Sequence, residues 1–374
     1  MSFVHRLGWL FEFQKIISIP NFSENGNIRP ISIALRIIIL ILSFSFTCID
    51  IVNIGINGNI HPFRISKMNS SALFTFLTSA SFFSNRLGFI FLIIYSLISN
   101  RSHLKFIKSA LQFENRTGNY IKPSLKNRKI KIIRNLLVFL TIVFYVIISI
   151  LSYPFHSIDF DTKSILSHIF FGIVLIIDIL TIYYCSCIFK EFLNFTELLV
   201  KYFNVSSHSN YLDILMDLFR IIPLLNSALG GTVFVIISKQ ILMGCLSVYY
   251  NIWLFTSHPL TASETYILVC SAMWRSHYMI SVALLYISGN KLTEKIEELL
   301  RKQNNLSCWM EERNLEKYHK FNKEQFQLWR FHSETRLLAT GSTEINNSGI
   351  FPIFSFIVTC LVIMIQFKQM EDST

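Results

Sequence analysis

Seven nearly unbroken apolar stretches alternate with polar segments along the 374 residues of the chain. Crossing about 30 Å of hydrocarbon takes about twenty mostly apolar residues at 1.5 Å rise per residue, and each stretch approaches or exceeds that length. The predicted spans are 31–54, 71–98, 135–153, 165–189, 230–255, 266–287 and 350–367. The periodicity continues into the polar segments. In 211–226, Leu212, Leu215, Leu218, Phe219 and Ile222 recur at three- and four-residue spacing, which predicts a helix leading into the fifth span. Past Lys291, Glu297 with Arg301 and Glu298 with Lys302 form favourable i, i+4 pairs. Leu315, Tyr318, Asn322, Gln325, Trp329 and His332 then make a mixed stripe. Because 313–338 lacks Pro and Gly, a helix is expected to run on to Gly341, and the last span to begin afresh after Asn346, Asn347 and Gly349. The fold class expected is all-α membrane protein, with seven transmembrane helices and long helical extensions.

The basic residues orient the spans. With the N-terminus inside, the segments facing the cytosol hold 26 Lys and Arg and those facing outward hold 4; the other four lie inside spans. Basic residues are retained on the cytoplasmic face, so the N-terminus is expected inside and the C-terminus outside. Omitting the long sixth loop still leaves 16 against 4. That orientation is inverted relative to a G-protein-coupled receptor. The chain also has no Asp-Arg-Tyr after the third span, no Asn-Pro-x-x-Tyr in the seventh and no Cys in 154–164.

A composition that is 52% hydrophobic and 15% charged, with 35 Phe, excludes an ordinary soluble domain. The net charge of +11 is concentrated on the predicted inner face, notably in 101–134. Attraction to anionic inner-leaflet lipid explains such a cluster more simply than nucleic acid does. Arg6, Glu12 and Lys15 interrupt any signal-peptide core near the N-terminus. The seven Cys fall within spans or the sixth loop, so no extracellular disulfide framework is expected, and Cys185-x-Cys187 is too close for a zinc knuckle and has no second pair. No metal or cofactor is expected. His156 and Asp161 share the spacing of some membrane acyltransferases, but they lie in a short outer loop. No phosphate-binding Gly loop, His-Glu-x-x-His or Gly-x-Ser-x-Gly occurs, so no enzyme is expected. A secondary transporter would show two related halves, and an odd number of spans provides none.

In the last span, Thr359, Cys360, the five apolar residues Leu361 to Ile365, Gln366 and Phe367 resemble the closing signature of insect gustatory receptors: Thr-Tyr, five hydrophobic residues, Gln-Phe. Cys360 departs from the usual Tyr. Ala339, Gly341, Glu344, Ile345 and Asn346 also look like the approach to that family's last span. The related insect odorant receptors share the architecture, and the Gln-Phe ending favours the gustatory branch. The resemblance implies a tetrameric, ligand-gated nonselective cation channel in the plasma membrane of sensory neurons, with homomeric or heteromeric gustatory subunits and a small-molecule tastant. It divides the chain into a cytoplasmic tail (1–30), a six-helix ligand-binding bundle (31–287), a cytoplasmic helical anchor region (288–349), a pore-lining last helix (350–367) and an extracellular tail (368–374).

The residues themselves carry a compatible reading. At about 100° per residue, Ser355, Thr359, Ile363 and Gln366 share one face of the last span, and a Gln amide in lipid needs water or a partner. That face looks either at a pore, with a polar ring at Gln366 and an apolar constriction at Ile363, or at another helix to which it hydrogen-bonds. For ligand contact, Tyr145, Tyr249 and Trp274 are the deeper members of an aromatic cluster in the outer halves of spans three to six. Charged residues inside spans are functional candidates by default: Arg86, Asp178, Lys239 and Arg275. Asp178 is suited to an ion pair with Arg86 or Lys239, and Arg275 to a ligand hydroxyl or carboxylate.

Overall fold

The computed structural model describes residues 7–17, 30–57, 72–118, 162–202, 208–257, 262–311, 337–339, 343–345 and 347–373, with helical positions between 136 and 147. In chain order these form α1 (Trp9–Ile17), α2 (Pro30–Asn57), α3 (Ala72–Ile98), α4 (Asn100–Gly118), α5 (Thr162–Tyr202), α6 (His208–Ser257), α7 (Ala262–Glu311), β1 (Leu338–Ala339), β2 (Thr343–Glu344) and α8 (Asn347–Ser373). Phe144 of the segment representing the third span meets the His277 ring of α7 at 5.9 Å.

Helices outrun the apolar stretches. α5 has 41 residues and α6 and α7 have 50 each, about 60–75 Å of helix against about 30 Å of hydrocarbon. The surplus lies at the C-terminal ends of α5 and α7 and the N-terminal end of α6. There the helices bury an amphipathic stripe against one another and α4. Phe106 of α4 lies 5.8 Å from Phe192 of α5, and Phe113 lies 5.7 Å from Phe195. Leu215, Leu218, Phe219 and Ile222 of α6 and Ile296 and Leu299 of α7 pack here too, as part of the one continuous core of the bundle. Along α7 the pairs Glu297–Arg301 at 3.7 Å and Glu298–Lys302 at 3.5 Å form, and Lys295 joins Glu298 at 2.6 Å. The hydrogen bond from Lys295 holds the Glu298 carboxyl below the usual carboxylate range and raises the Lys295 ammonium in return.

Two helices go beyond what apolar runs predict. α1 follows Gly8, whose φ of 64° lies where a side chain is strained, and it buries Leu10, Phe11 and Gln14 on one face. Its Gln14 amide donates to the Thr181 hydroxyl of α5 at 3.2 Å, so part of the expected N-terminal tail packs into the bundle. α4 continues from α3 across a 61° bend at Ser99.

One expectation fails. The helix projected to Gly341 is replaced at 338–339 by a two-residue strand, antiparallel to β2 with Leu338 opposite Glu344 and Ala339 opposite Thr343. The Ile345 N–H donates to the Leu337 carbonyl at 2.9 Å, and both residues are buried, so apolar burial and a closed ladder override helix propensity. The mixed stripe from Leu315 to His332 lies outside the described residues.

By length and apolarity, among the described residues, Ile169–Lys201 and Ile214–Leu246 are each sufficient to cross a membrane; α3 and α4 together qualify if the bent pair is one span. The first and last spans are represented by shorter apolar pieces, Ile33–Ile49 and Phe351–Phe367.

Candidate functional site

Three of the charges inside predicted spans come from three different helices. Arg86 lies on α3, Asp178 on α5 and Lys239 on α6, and all three are buried. The Lys239 ammonium forms an ion pair with the Asp178 carboxylate, with side chains 3% and 1% exposed. Room for the lysine stem comes from Gly88 of α3, where a Cβ would stand 2.5 Å from Lys239 Cδ. The Arg86 guanidinium lies over the Phe170 ring of α5, 4.2 Å from the centroid. Phe170 is a hub, stacked on Phe46 of α2 at 5.1 Å and meeting Phe89 of α3 edge-on at 6.1 Å.

A second polar cluster brackets the α3–α4 bend. Arg36 of α2, buried to 1%, donates to the Asn100 side-chain oxygen at 2.7 Å and to the Ser96 carbonyl at 3.4 Å. A guanidinium that binds the first residue of α4 and a carbonyl in the last turn of α3 fixes the angle between them. His103, one turn on, faces the Ser99 carbonyl at 3.4 Å. Burial holds its imidazole down at about 4, with Arg36 pushing the same way and the Ser99 contact opposing. Arg36 escaped the list of candidate charges although it is the fourth cation inside a span. Its nearness to the start of the first span reads as an end charge, and only its burial reveals the difference.

The last helix is covered by its own chain along one stripe. Ile353, Ile357, Cys360, Leu361, Met364 and Ile365 are half-buried. That stripe packs on α6 and α7. Ser355, Thr359, Ile363, Gln366 and Phe367 all lie on the uncovered surface. Thr359 donates its hydroxyl to the Ser355 carbonyl at 2.8 Å, so the threonine hydroxyl is satisfied within the helix. At the base of α8, Gly289 of α7 abuts Ile345: a Cβ there would stand 2.6 Å from the Ile345 carbonyl oxygen.

Of the ligand candidates, Tyr249 is buried on α6 and Arg275 is half-buried on α7. Trp274 belongs to α7, but its side chain lies outside the description, as does the whole of Tyr145. His156 and Asp161 also lie outside the described residues.

These features define a class: a bundle of long apolar helices with buried charges and a last helix left mostly uncovered. The chain belongs to the 7tm Chemosensory receptor family, whose model matches residues 2–371. Solved structures that share the fold include two of the insect olfactory receptor OR5 from Machilis hrabei. The complex with eugenol matches at a TM-score of 0.55 and 11% identity, over 97% of this chain and 97% of that one. The second matches at 0.55 and 13%, over 98% of each. No curated protein matches the chain.

Proposed function

We propose that the chain is a gustatory-type chemoreceptor: a ligand-gated nonselective cation channel of the plasma membrane of sensory neurons, formed by four subunits around a pore lined by α8. The observation that carries the reading is the asymmetry of α8. Its own chain covers one stripe, and the uncovered surface holds Ser355, Thr359, Ile363 and Gln366. A glutamine amide facing lipid is costly, so a water-filled axis suits that surface. The Gln366-Phe367 ending supports the gustatory branch. The runner-up is an odorant-type channel, favoured by the fold likeness to an olfactory receptor. Replacing Gln366 with Ala is expected to alter the ion permeability of ligand-evoked current; unchanged permeability refutes the pore role.

In this reading the N-terminus and the overhanging ends of α5, α6 and α7 are cytoplasmic, residues 31–287 bind ligand and 288–349 anchor the subunits. Small organic molecules suit the aromatic outer bundle, where Tyr145, Tyr249 and Trp274 are the contacts favoured, and the eugenol complex of the related fold supports an aromatic or sugar-sized ligand. Arg275→Ala is expected to shift the agonist dose response at equal surface expression, and an unshifted curve removes that residue. Coupling runs from α7 to α8 through the Gly289–Ile345 contact, as a two-state equilibrium biased by ligand.

A further inference from the structure

Between Phe83 and Ile98 the exposed residues of α3 are all apolar: Leu87, Phe91, Ile94 and Ile98, spaced alternately by four and three. Such spacing is one stripe of helix surface. The same spacing crosses the bend at Ser99 without a slip and selects the first exposed residues of α4, which are Arg101, Lys105, Lys108 and Gln112. One continuous face thus turns from apolar to cationic between Ile98 and Arg101. Arg116, farther along α4, is held by Asp217, whereas Arg101, Lys105 and Lys108 have no ion pair among the described residues.

An exposed apolar stripe suits hydrocarbon, so its end at Ile98, 74% exposed, marks the edge of the membrane on α3. Because α4 leaves at 61°, the nine residues from Ser99 to Lys108 descend only about 7 Å along the α3 axis, where a straight helix would descend about 13 Å. All three cations therefore lie within one Debye length of that edge, about 8–10 Å. α2 gives the same level. Its Arg36 reaches Ser96 and Asn100 at the bend, and Ile31, five residues nearer the N-terminus, is also 74% exposed. Apolar surface continues about 7 Å past Arg36, so α4 begins beside the bilayer.

We propose that Arg101, Lys105 and Lys108 form a binding surface for the anionic phospholipid headgroups of the inner leaflet. The opposite face of α4 is already covered, with Phe106 and Phe113 against Phe192 and Phe195 of α5, so the cationic stripe faces away from the bundle on the side where α3 meets lipid. Ammonium and guanidinium groups only donate, and headgroup phosphate and carboxylate oxygens accept. The long stems stay on the helix while the charged ends reach for the headgroups. Each cation near an anionic leaflet favours it about fivefold. The choice of leaflet rests on the proposed cytoplasmic placement of the α5 and α6 overhangs, against which α4 packs.

The experiment reconstitutes the full chain into phosphatidylcholine nanodiscs doped with equal small fractions of photoactivatable phosphatidylserine or phosphatidylcholine, and maps cross-linked peptides by mass spectrometry. Peptides covering 101–108 should take up the serine lipid at least about tenfold over the choline lipid at low salt, and several-fold less at about 0.5 M salt. Joint replacement Arg101→Gln, Lys105→Gln and Lys108→Gln should bring the ratio to about one, while Arg101→Lys, Lys105→Arg and Lys108→Arg together should preserve it. A ratio near one in the native chain overturns the proposal and leaves the stripe to an acidic protein partner. So does a ratio that the glutamine variant leaves unchanged. The orientation is read separately, from Lys108→Cys on intact cells: labelling by an impermeant maleimide added outside refutes the cytoplasmic placement. The lipid ratio, taken in discs with the probe in both leaflets, stands or falls on α4 itself.

Discussion

Removing one partner of the Asp178–Lys239 pair should damage the protein far more than removing both. Unit charges about 4 Å apart attract by about 4 kcal/mol at an effective dielectric near 20, while burying each ion costs several kcal/mol. The pair is therefore close to break-even, but either ion alone is a stranded charge. With side chains 3% and 1% exposed, neither has solvent to fall back on. Asp178→Asn and Lys239→Met are each expected to cost about 3–5 kcal/mol. The double variant should lose well under the sum, and the swap of Asp178→Lys with Lys239→Asp should recover part of the stability. Thermal denaturation of detergent-solubilised receptor, followed by fluorescence-detected gel filtration, gives the four corners of the cycle. Singles that lose little, or a double that loses the sum of both, would refute the reasoning, because independent sites add.

Two further predictions follow from local geometry. Gly289→Ala places a methyl 2.6 Å from the Ile345 carbonyl oxygen, where ordinary contact begins at 3.4 Å, so the backbone leading into α8 must retreat by about 0.8 Å. Ligand-evoked current at matched surface expression should fall or become constitutive, and an unchanged response would show that this contact does not bear on gating. His103 sets a pH dependence: its imidazole titrates near 4 in the folded chain and near 6.5 when exposed. Between those values the unfolded chain holds the extra proton, so stability falls as pH drops from 6.5 to 4, by about 3 kcal/mol in all, and is unaffected above 6.5. A pH series of denaturation midpoints should be flatter through that window for His103→Gln than for the native chain; parallel curves would reject the assignment.

Apolar runs located membrane-type helices well and their true ends poorly. The run 71–98 coincides with α3, whereas the run 230–255 is the second half of a helix that starts at His208. Half of α6 is amphipathic, so its burial depends on partners that a local hydropathy pattern does not contain. α4 was hidden in the same way. Its segment looks like a basic loop by charge count, yet Phe106, Ile107, Ala110, Phe113 and Thr117 fall on one buried face. α1, only nine residues with Glu12 and Lys15 among them, gives no span signal at all. Among the site residues, a partner for Asp178 was legible as a choice between two cations, because charges inside spans are few. Only the close approach of α3 to α6 at Gly88 shows how Lys239 fits, and no spacing rule announces that.

Tyr95 of α3 lies where a Cβ on Gly231 of α6 would stand, and its hydroxyl donates to the Ser227 carbonyl at 3.0 Å. Ring and absent side chain are two halves of one volume. Among relatives, positions 95 and 231 should therefore change together, with a larger residue at 231 tolerated only where the tyrosine has already given way to something smaller. Substitution histories of such receptors would then record a helix crossing that neither position reveals alone.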